Sequence, residues 1–422
     1  MNKITTYVAR NNRDYQDYVM YTQTLTYDNN GNIQTISSGA NDSVTYTYDD
    51  RNRLTQEENT ALNRKYVFTY NDGGNITSKK EYNKSTGALL HTYSYSYSND
   101  RLTNFNGTAI TYDACGNPLS YKGNTLTWTR GRLLSQYGGV SFQYDGEGFR
   151  RKKAHGTDTV TYYYQDGKLL SEKHSNAAKN LYFIHHGNEI VGFLTENVDL
   201  YYYQKDVLGN VIAIYNPEGE KVASYTYDAW GNCTIGTNVN GLADLYPIRY
   251  RGYYYDKETQ LYYLQTRYYN PQTGRFISPD TVEHLDPETI HGLNLYAYGL
   301  NNPVIYVDPT GHFAISRLIW IIIGATVLTT AGAITYGAIE EETIVLDLSY
   351  TFSFGTKIGV SLLIDFEGSN IELYPHIGQS SGMGSGVSYS VGQSMELRWP
   401  WFLWRIFLLC WWRKLRWGRC VF

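Results

Sequence analysis

The chain has 422 residues, 36 basic and 40 acidic side chains and a net charge of −4, too mild a balance for a whole-chain nucleic-acid binder. It holds 43 tyrosines and 39 glycines but 10 prolines, which excludes a proline-rich linker and points to short strands joined by tight turns. Four scattered cysteines, Cys115, Cys233, Cys410 and Cys420, form no CxxC pair. That argues against a disulfide framework and a zinc site, and no cofactor or metal is expected.

Met1 to Arg13 is polar and lacks the apolar core of a signal peptide. The chain therefore reads as the internal start of a longer exported protein, or as one exported by another route. Repeats begin near Tyr21. Tyr27-Asp28-Asn29-Asn30-Gly31-Asn32-Ile33 is one unit, and Tyr48-Asp49 opens a degenerate copy ending at Leu54. Tyr112-Asp113, Tyr144-Asp145 and Tyr227-Asp228 open further units, with weaker copies at Tyr70-Asn71 and Asp206. Tyrosines two apart, such as Tyr46 and Tyr48, share one strand face. The aspartate accepts hydrogen bonds from turn amides, and glycine or asparagine supplies positive φ. A strand and turn recurring every 16 residues or so predict a β-meander.

From Tyr201 the sequence tightens into an ordered block. It contains Arg249-Tyr250-Arg251-Gly252-Tyr253-Tyr254-Tyr255-Asp256 and Arg267-Tyr268-Tyr269-Asn270-Pro271. Ser278-Pro279-Asp280, Asn301-Asn302-Pro303 and Asp308-Pro309-Thr310-Gly311-His312 follow. The repeats and this block resemble the YD/RHS repeat family over Tyr21 to His312. That family includes bacterial insecticidal-toxin shells, contact-dependent toxins and the YD shells of teneurins. The block itself is similar to the RHS-associated core domain. The resemblance implies an all-β fold: a YD-repeat meander (1–200) spiralling into a shell, closed by the core domain (201–312). It also implies self-cleavage after an Asp-Pro-x-Gly-x element, with an arginine and two aspartates required. Matched residue by residue, these are Arg267, Asp280 and Asp308, with the cut between His312 and Phe313. The usual residue at the cut is leucine or another apolar residue, and histidine departs from that pattern.

The chemistry is sound without the resemblance. Of two close carboxylates, one keeps a proton and polarises the scissile carbonyl while the other activates water. An arginine holds a carboxylate or the developing oxyanion. The alternative is that Asp280 and Asp308, each beside a proline, are turn or cap residues. Asp256, Glu283 and Asp286 have no such match and read as surface residues.

After His312 the character changes. Leu318 to Ile339 is 22 residues without a charge, the length of a transmembrane helix, within an apolar segment 313–342. The other reading is a helix buried in protein. A small β-rich domain is expected over 343–395. A strand runs from Ile344 to Phe354, a hairpin pairs Ile358–Phe366 with Ile371–Tyr374, and Val387–Val391 forms a further strand. The end, 396–422, interleaves six tryptophans from Trp399 to Trp417 with arginines, the composition of interfacial membrane segments, or else a decayed terminus. Membrane contact is expected through 318–339 and 397–422. The tail's one histidine, His376, has no catalytic partner set.

The function these features imply is an RHS-type toxin-delivery protein of the secreted or cell-surface kind. Its shell would release a C-terminal effector, countered by an immunity protein, in competition between bacterial cells. The alternatives are a surface adhesion protein whose tyrosines bind carbohydrate, and an inactive truncated cassette. No nucleic-acid partner is expected.

Overall fold

The computed structural model describes residues 2–9, 17–39, 42–281, 294–312, 315–316, 344–351, 356–365, 370–379 and 384–391. The chain divides into two compact units, Met1–Trp320 and Ile321–Phe422. Among the described residues of the first unit, ten antiparallel strands from Asn2–Ala9 to Thr108–Ala109 form one sheet in strict chain order. Thirteen more, from Ser120–Tyr121 to Cys233–Asn238, form a second. A four-stranded sheet of Tyr254–Asp256, Leu261–Tyr263, Tyr268–Asn270 and Arg275–Phe276 follows.

Each repeat builds the same turn. The Asp28 N–H donates to the Asn32 carbonyl at 2.9 Å, and its Oδ1 accepts the Asn30 and Asn32 amides at 2.9 and 2.8 Å. The backbone bond and the side-chain bond to the amide four residues on recur at Asp49, Asp113, Asp145 and Asp228, and at the weaker units Asn71 and Asp206. A register shift precedes the turn at Thr26/Tyr27, Thr47/Tyr48, Thr69/Tyr70 and Gln143/Tyr144, so each hairpin carries a bulge that increases its twist.

The tyrosine of the motif has a task that its face pattern does not reveal. Its hydroxyl donates to a backbone carbonyl of the preceding unit: Tyr48 to Ile33 at 2.7 Å, Tyr70 to Leu54 at 2.6 Å, Tyr144 to Leu134 at 2.8 Å and Tyr227 to Val211 at 2.8 Å. Trp128 takes the same place, its indole N–H donating to the Pro118 carbonyl at 2.7 Å. Tyr97, which is followed by Ser98 and belongs to no Tyr-Asp pair, does so as well, to Ile76 at 2.7 Å.

The first strands of the core block, Leu200–Lys205 to Cys233–Asn238, complete the second sheet, and the rest of the block packs against the sheets. Trp230, Tyr250, Tyr262, Tyr269 and Tyr298 are at most 1% exposed, with the Tyr269 and Tyr298 rings 4.2 Å apart. Its asparagines enter the turns of the first sheet. Asn302 Nδ2 donates to Asn32 Oδ1 at 3.0 Å and to the Asn52 carbonyl at 2.9 Å, and Asn301 Nδ2 donates to the Gly74 carbonyl at 2.7 Å. The block is thereby fixed against units more than 200 residues upstream.

Asp256 corrects an expectation. It is fully buried, not on the surface, because Arg150 pairs with one carboxylate oxygen and Lys153 with the other at 3.0 Å. The Arg150 guanidinium lies over the Tyr162, Tyr254 and Tyr263 rings at 4.7, 4.9 and 4.3 Å. Glu283 and Asp286 lie outside the described residues.

In the second unit, Ile344–Thr351 pairs with both Thr356–Asp365 and Gly384–Val391, and Asn370–Gln379 adds to the far side of Thr356–Asp365. The hairpin closes at Asp365 and Asn370. The apolar stretch 318–339 and the tryptophan- and arginine-rich end 397–422 lie outside the described residues. Among the described residues no helix is long and apolar enough to cross a membrane.

Candidate active site

Arg267, Asp280 and Asp308 converge from three segments of the core block. Arg267 precedes the strand Tyr268–Asn270, Asp280 follows the strand Arg275–Phe276, and Asp308 follows the short strand Tyr306–Val307. One guanidinium nitrogen, Arg267 Nη2, lies 2.9 Å from Asp280 Oδ2 and 3.2 Å from Asp308 Oδ2. Nη1 donates to the Leu295 carbonyl at 3.0 Å, Nε donates to the Gly311 carbonyl, and the Phe276 ring lies 3.6 Å below the guanidinium carbon. All three residues are buried, at 5%, 9% and 2% exposure.

Asp308 also caps a turn. Its Oδ1 accepts the Gly311 and His312 amides at 2.7 and 3.0 Å, and its own N–H donates to the Tyr253 hydroxyl at 3.1 Å. Burial, the largest influence, raises its carboxyl above the usual range, and nearby Arg267 opposes that shift. Gly311 has φ +80°, and a Cβ there would meet Thr266 Oγ1 at 2.6 Å and the Leu264 carbonyl at 2.8 Å. Only glycine fits a turn held this close to the Arg267 segment. The His312 ring reaches Asp280 Oδ1 with Nδ1 at 3.3 Å. The carbonyl gripped by Arg267 is that of Gly311, one residue before the expected cut, and Phe313 lies outside the described residues.

The match to the model of the teneurin YD-shell runs over residues 5–304. The chain belongs to the teneurin YD-shell family. Among curated relatives of this YD-shell chain, the tRNA3(Ser)-specific nuclease WapA of Bacillus spizizenii is 34% identical over 71% of the chain and 15% of its own length. The tRNA nuclease WapA of Bacillus subtilis matches with the same identity and shares. The toxin protein Tse5 of Pseudomonas aeruginosa is 45% identical over 65 residues, 15% of this chain and 5% of that protein. The chain thus spans about 15% of the length of the first two relatives.

Solved structures confirm the all-β YD-shell fold. The Tc holotoxin pore of Photorhabdus luminescens superposes with a TM-score of 0.60 at 22% identity, over 74% of this chain and 18% of that one. The TcdB2-TccC3 structure without its hypervariable C-terminal region gives 0.59 at 24%, over 73% and 18%.

The sequence left several participants unnamed. Tyr253, Thr266 and Leu295 position the site through hydroxyls and backbone carbonyls, which leave no trace in residue spacing. Among the described residues no group of three His, Cys, Asp or Glu is placed to hold a metal ion.

Proposed function

We propose that this YD-shell chain is part of an RHS-type toxin-delivery protein that cuts itself after His312 and releases the following residues as an effector. The observation that carries the reading is the shared contact of Asp280 and Asp308 with Arg267 Nη2, beside the turn that presents Gly311 and His312. Two carboxylates on one cation favour a state in which one is protonated and one is not.

In the step proposed, Asp280 takes a proton from water while the water oxygen bonds to the His312 carbonyl carbon. Asp308 gives its proton to the carbonyl oxygen. As the tetrahedral intermediate collapses, the C–N bond breaks, the proton on Asp280 passes to the amine of Phe313, and Asp308 recovers its own from the hydroxyl. The products are a His312 carboxyl and a new N-terminus. The names of the relatives, a tRNA nuclease and a toxin protein, support the effector role, and an immunity protein is the partner that role calls for. Secretion or surface display, and membrane action of the 318–339 and 397–422 segments, belong to the same proposal.

The test is intact mass over time for the parent and for Asp308→Asn. A fragment ending at His312 in the parent, absent in the variant, supports the reading. A parent that stays whole overturns it, and a fragment ending at Gly311 moves the cut to the carbonyl that Arg267 holds.

A further inference from the structure

A cleft of about 430 Å³ opens on Asp280 from the repeat side of the first unit. Its walls bring together Arg101, Arg130 and Arg132. Arg101 follows the turn at Asn99, while Arg130 and Arg132 flank the turn between Asn124–Thr129 and Leu133–Tyr137. The three come from two hairpins, Arg101 from one and the Arg130–Arg132 pair from the other, so no local spacing brings Arg101 to the pair. Arg101 is half-buried and Arg130 and Arg132 are exposed. Among the described residues none of the three is in an ion pair within 4.0 Å. The Arg130 guanidinium donates to the Asp145 backbone carbonyl, and that of Arg101 lies 6.0 Å from the centre of the Tyr112 ring.

The charged and titratable groups around Asp280 can be named element by element. The Arg267 segment brings its guanidinium. The C-terminal turn brings Asp308 and the His312 ring. The repeat hairpins bring the three arginines and Cys115, the core block adds the Tyr296 hydroxyl, to which Arg101 bonds, and Asp113 is occupied with the Asn117 amides. Residues 282–293 lie outside the described residues. Asp280 therefore shares one buried cation with Asp308 and one cleft with three further cations. Arg132 is also close enough to act electrostatically on Arg267.

We propose that Arg101, Arg130 and Arg132 are positioning residues for Asp280, holding its carboxylate ionised so that the proton of the pair resides on Asp308. This assigns the base to Asp280 and the acid to Asp308, and it rests on the self-cleavage reading above. Three positive charges lining a partly enclosed cleft favour the charged form of a carboxylate in that cleft, and salt weakens them because two are exposed.

The experiment follows self-cleavage by intact mass from pH 4 to 8, using full chain made in a cell-free reaction and shifted into each buffer. Parent, Arg132→Gln, Arg132→Lys and the double variant Arg101→Gln/Arg132→Gln are compared. The acid limb of the profile should move up by about half a unit in Arg132→Gln and further in the double variant. Arg132→Lys should restore it, and 1 M NaCl should shrink the difference. An unchanged limb in both glutamine variants, or a shift that lysine does not rescue, overturns the proposal. A second measurement stands apart from cleavage. In the full chain carrying Asp308→Asn, the Asp280 carboxyl is titrated by NMR of 13C-labelled aspartate and assigned with Asp280→Asn. The same upward shift on removing Arg132 is expected, and its absence overturns the proposal. A parent that never cuts sinks the self-cleavage reading, while this titration still decides the electrostatic one.

Discussion

Glu57 Oε2 accepts the backbone N–H of Ala229 at 2.7 Å, joining residues 172 positions apart. Glu57 is fully buried beside Asp228, and Lys79 reaches Asp228 Oδ2 at 3.0 Å, so two carboxyls share one ammonium between the first sheet and the turn at Tyr227. Burial first, then the Asp228 charge, push the Glu57 carboxyl up to about 8. A carboxyl raised in the folded state binds its proton more tightly there than when unfolded. Its contribution is whole below the unfolded value and is lost as pH rises through about 8. Denaturation midpoints should therefore fall from pH 5 to 9. Glu57→Gln should flatten that fall, starting below the parent by about 1 kcal/mol because the amide nitrogen cannot accept a hydrogen bond from Asn59 or Ala229. Parallel parent and variant curves would refute a titrating Glu57.

Arg150 is the second buried charge with a clear expectation. Replacing it with methionine leaves Asp256 fully buried with Lys153 as its remaining ion-pair partner. Breaking a buried pair from one side costs about 3–5 kcal/mol, and urea unfolding should register a loss of that size.

The lacing tyrosines predict a graded result. Tyr48→Phe and Tyr70→Phe each remove one hydrogen bond to a carbonyl of the preceding unit and should each cost about 1 kcal/mol. Tyr27, which opens its repeat at 39% exposure, should tolerate phenylalanine with a change within about 0.5 kcal/mol. Equal losses at all three positions in denaturant titrations would argue against lacing.

Gly311→Ala separates the turn from the fold. The new methyl would meet Thr266 Oγ1 at 2.6 Å in a backbone of φ +80°. The turn must then move off Asp308, so self-cleavage should drop at least tenfold while the unfolding midpoint shifts by about 1 to 2 kcal/mol. Intact mass and denaturation measured on the same sample test this split.

Much of the fold was legible because its turns are local. Tyr27-Asp28 through Asn32 contains every atom its turn needs, and the weaker copies fold alike because Asn71 offers the same side-chain acceptor and Asp206 keeps the aspartate itself. Arg267, Asp280 and Asp308 were reachable through ordered motifs. Asp256 was misjudged because its partners, Arg150 and Lys153, lie more than 100 residues away and nothing near Asp256 signals burial. Tyr97 was missed because its turn, Asn99-Asp100, has two residues of positive φ and carries no Tyr-Asp signature. The arginine cleft depends on how hairpins meet the core block, which residue spacing does not encode.

The contacts of Asn301 and Asn302 with the turns at Gly74 and Asn32 have a consequence for synthesis. Asn302 leaves the ribosome 270 residues after Asn32, an interval of roughly 15 to 50 s at ordinary elongation rates. Throughout that time the turns at Asn32 and Asn52 lack the Asn302 contact. Nascent chains stalled before Asn301 should be cut by protease at the Asn30 and Asn52 turns, and chains stalled well beyond it should resist, so a segment made late sets when one made early becomes safe.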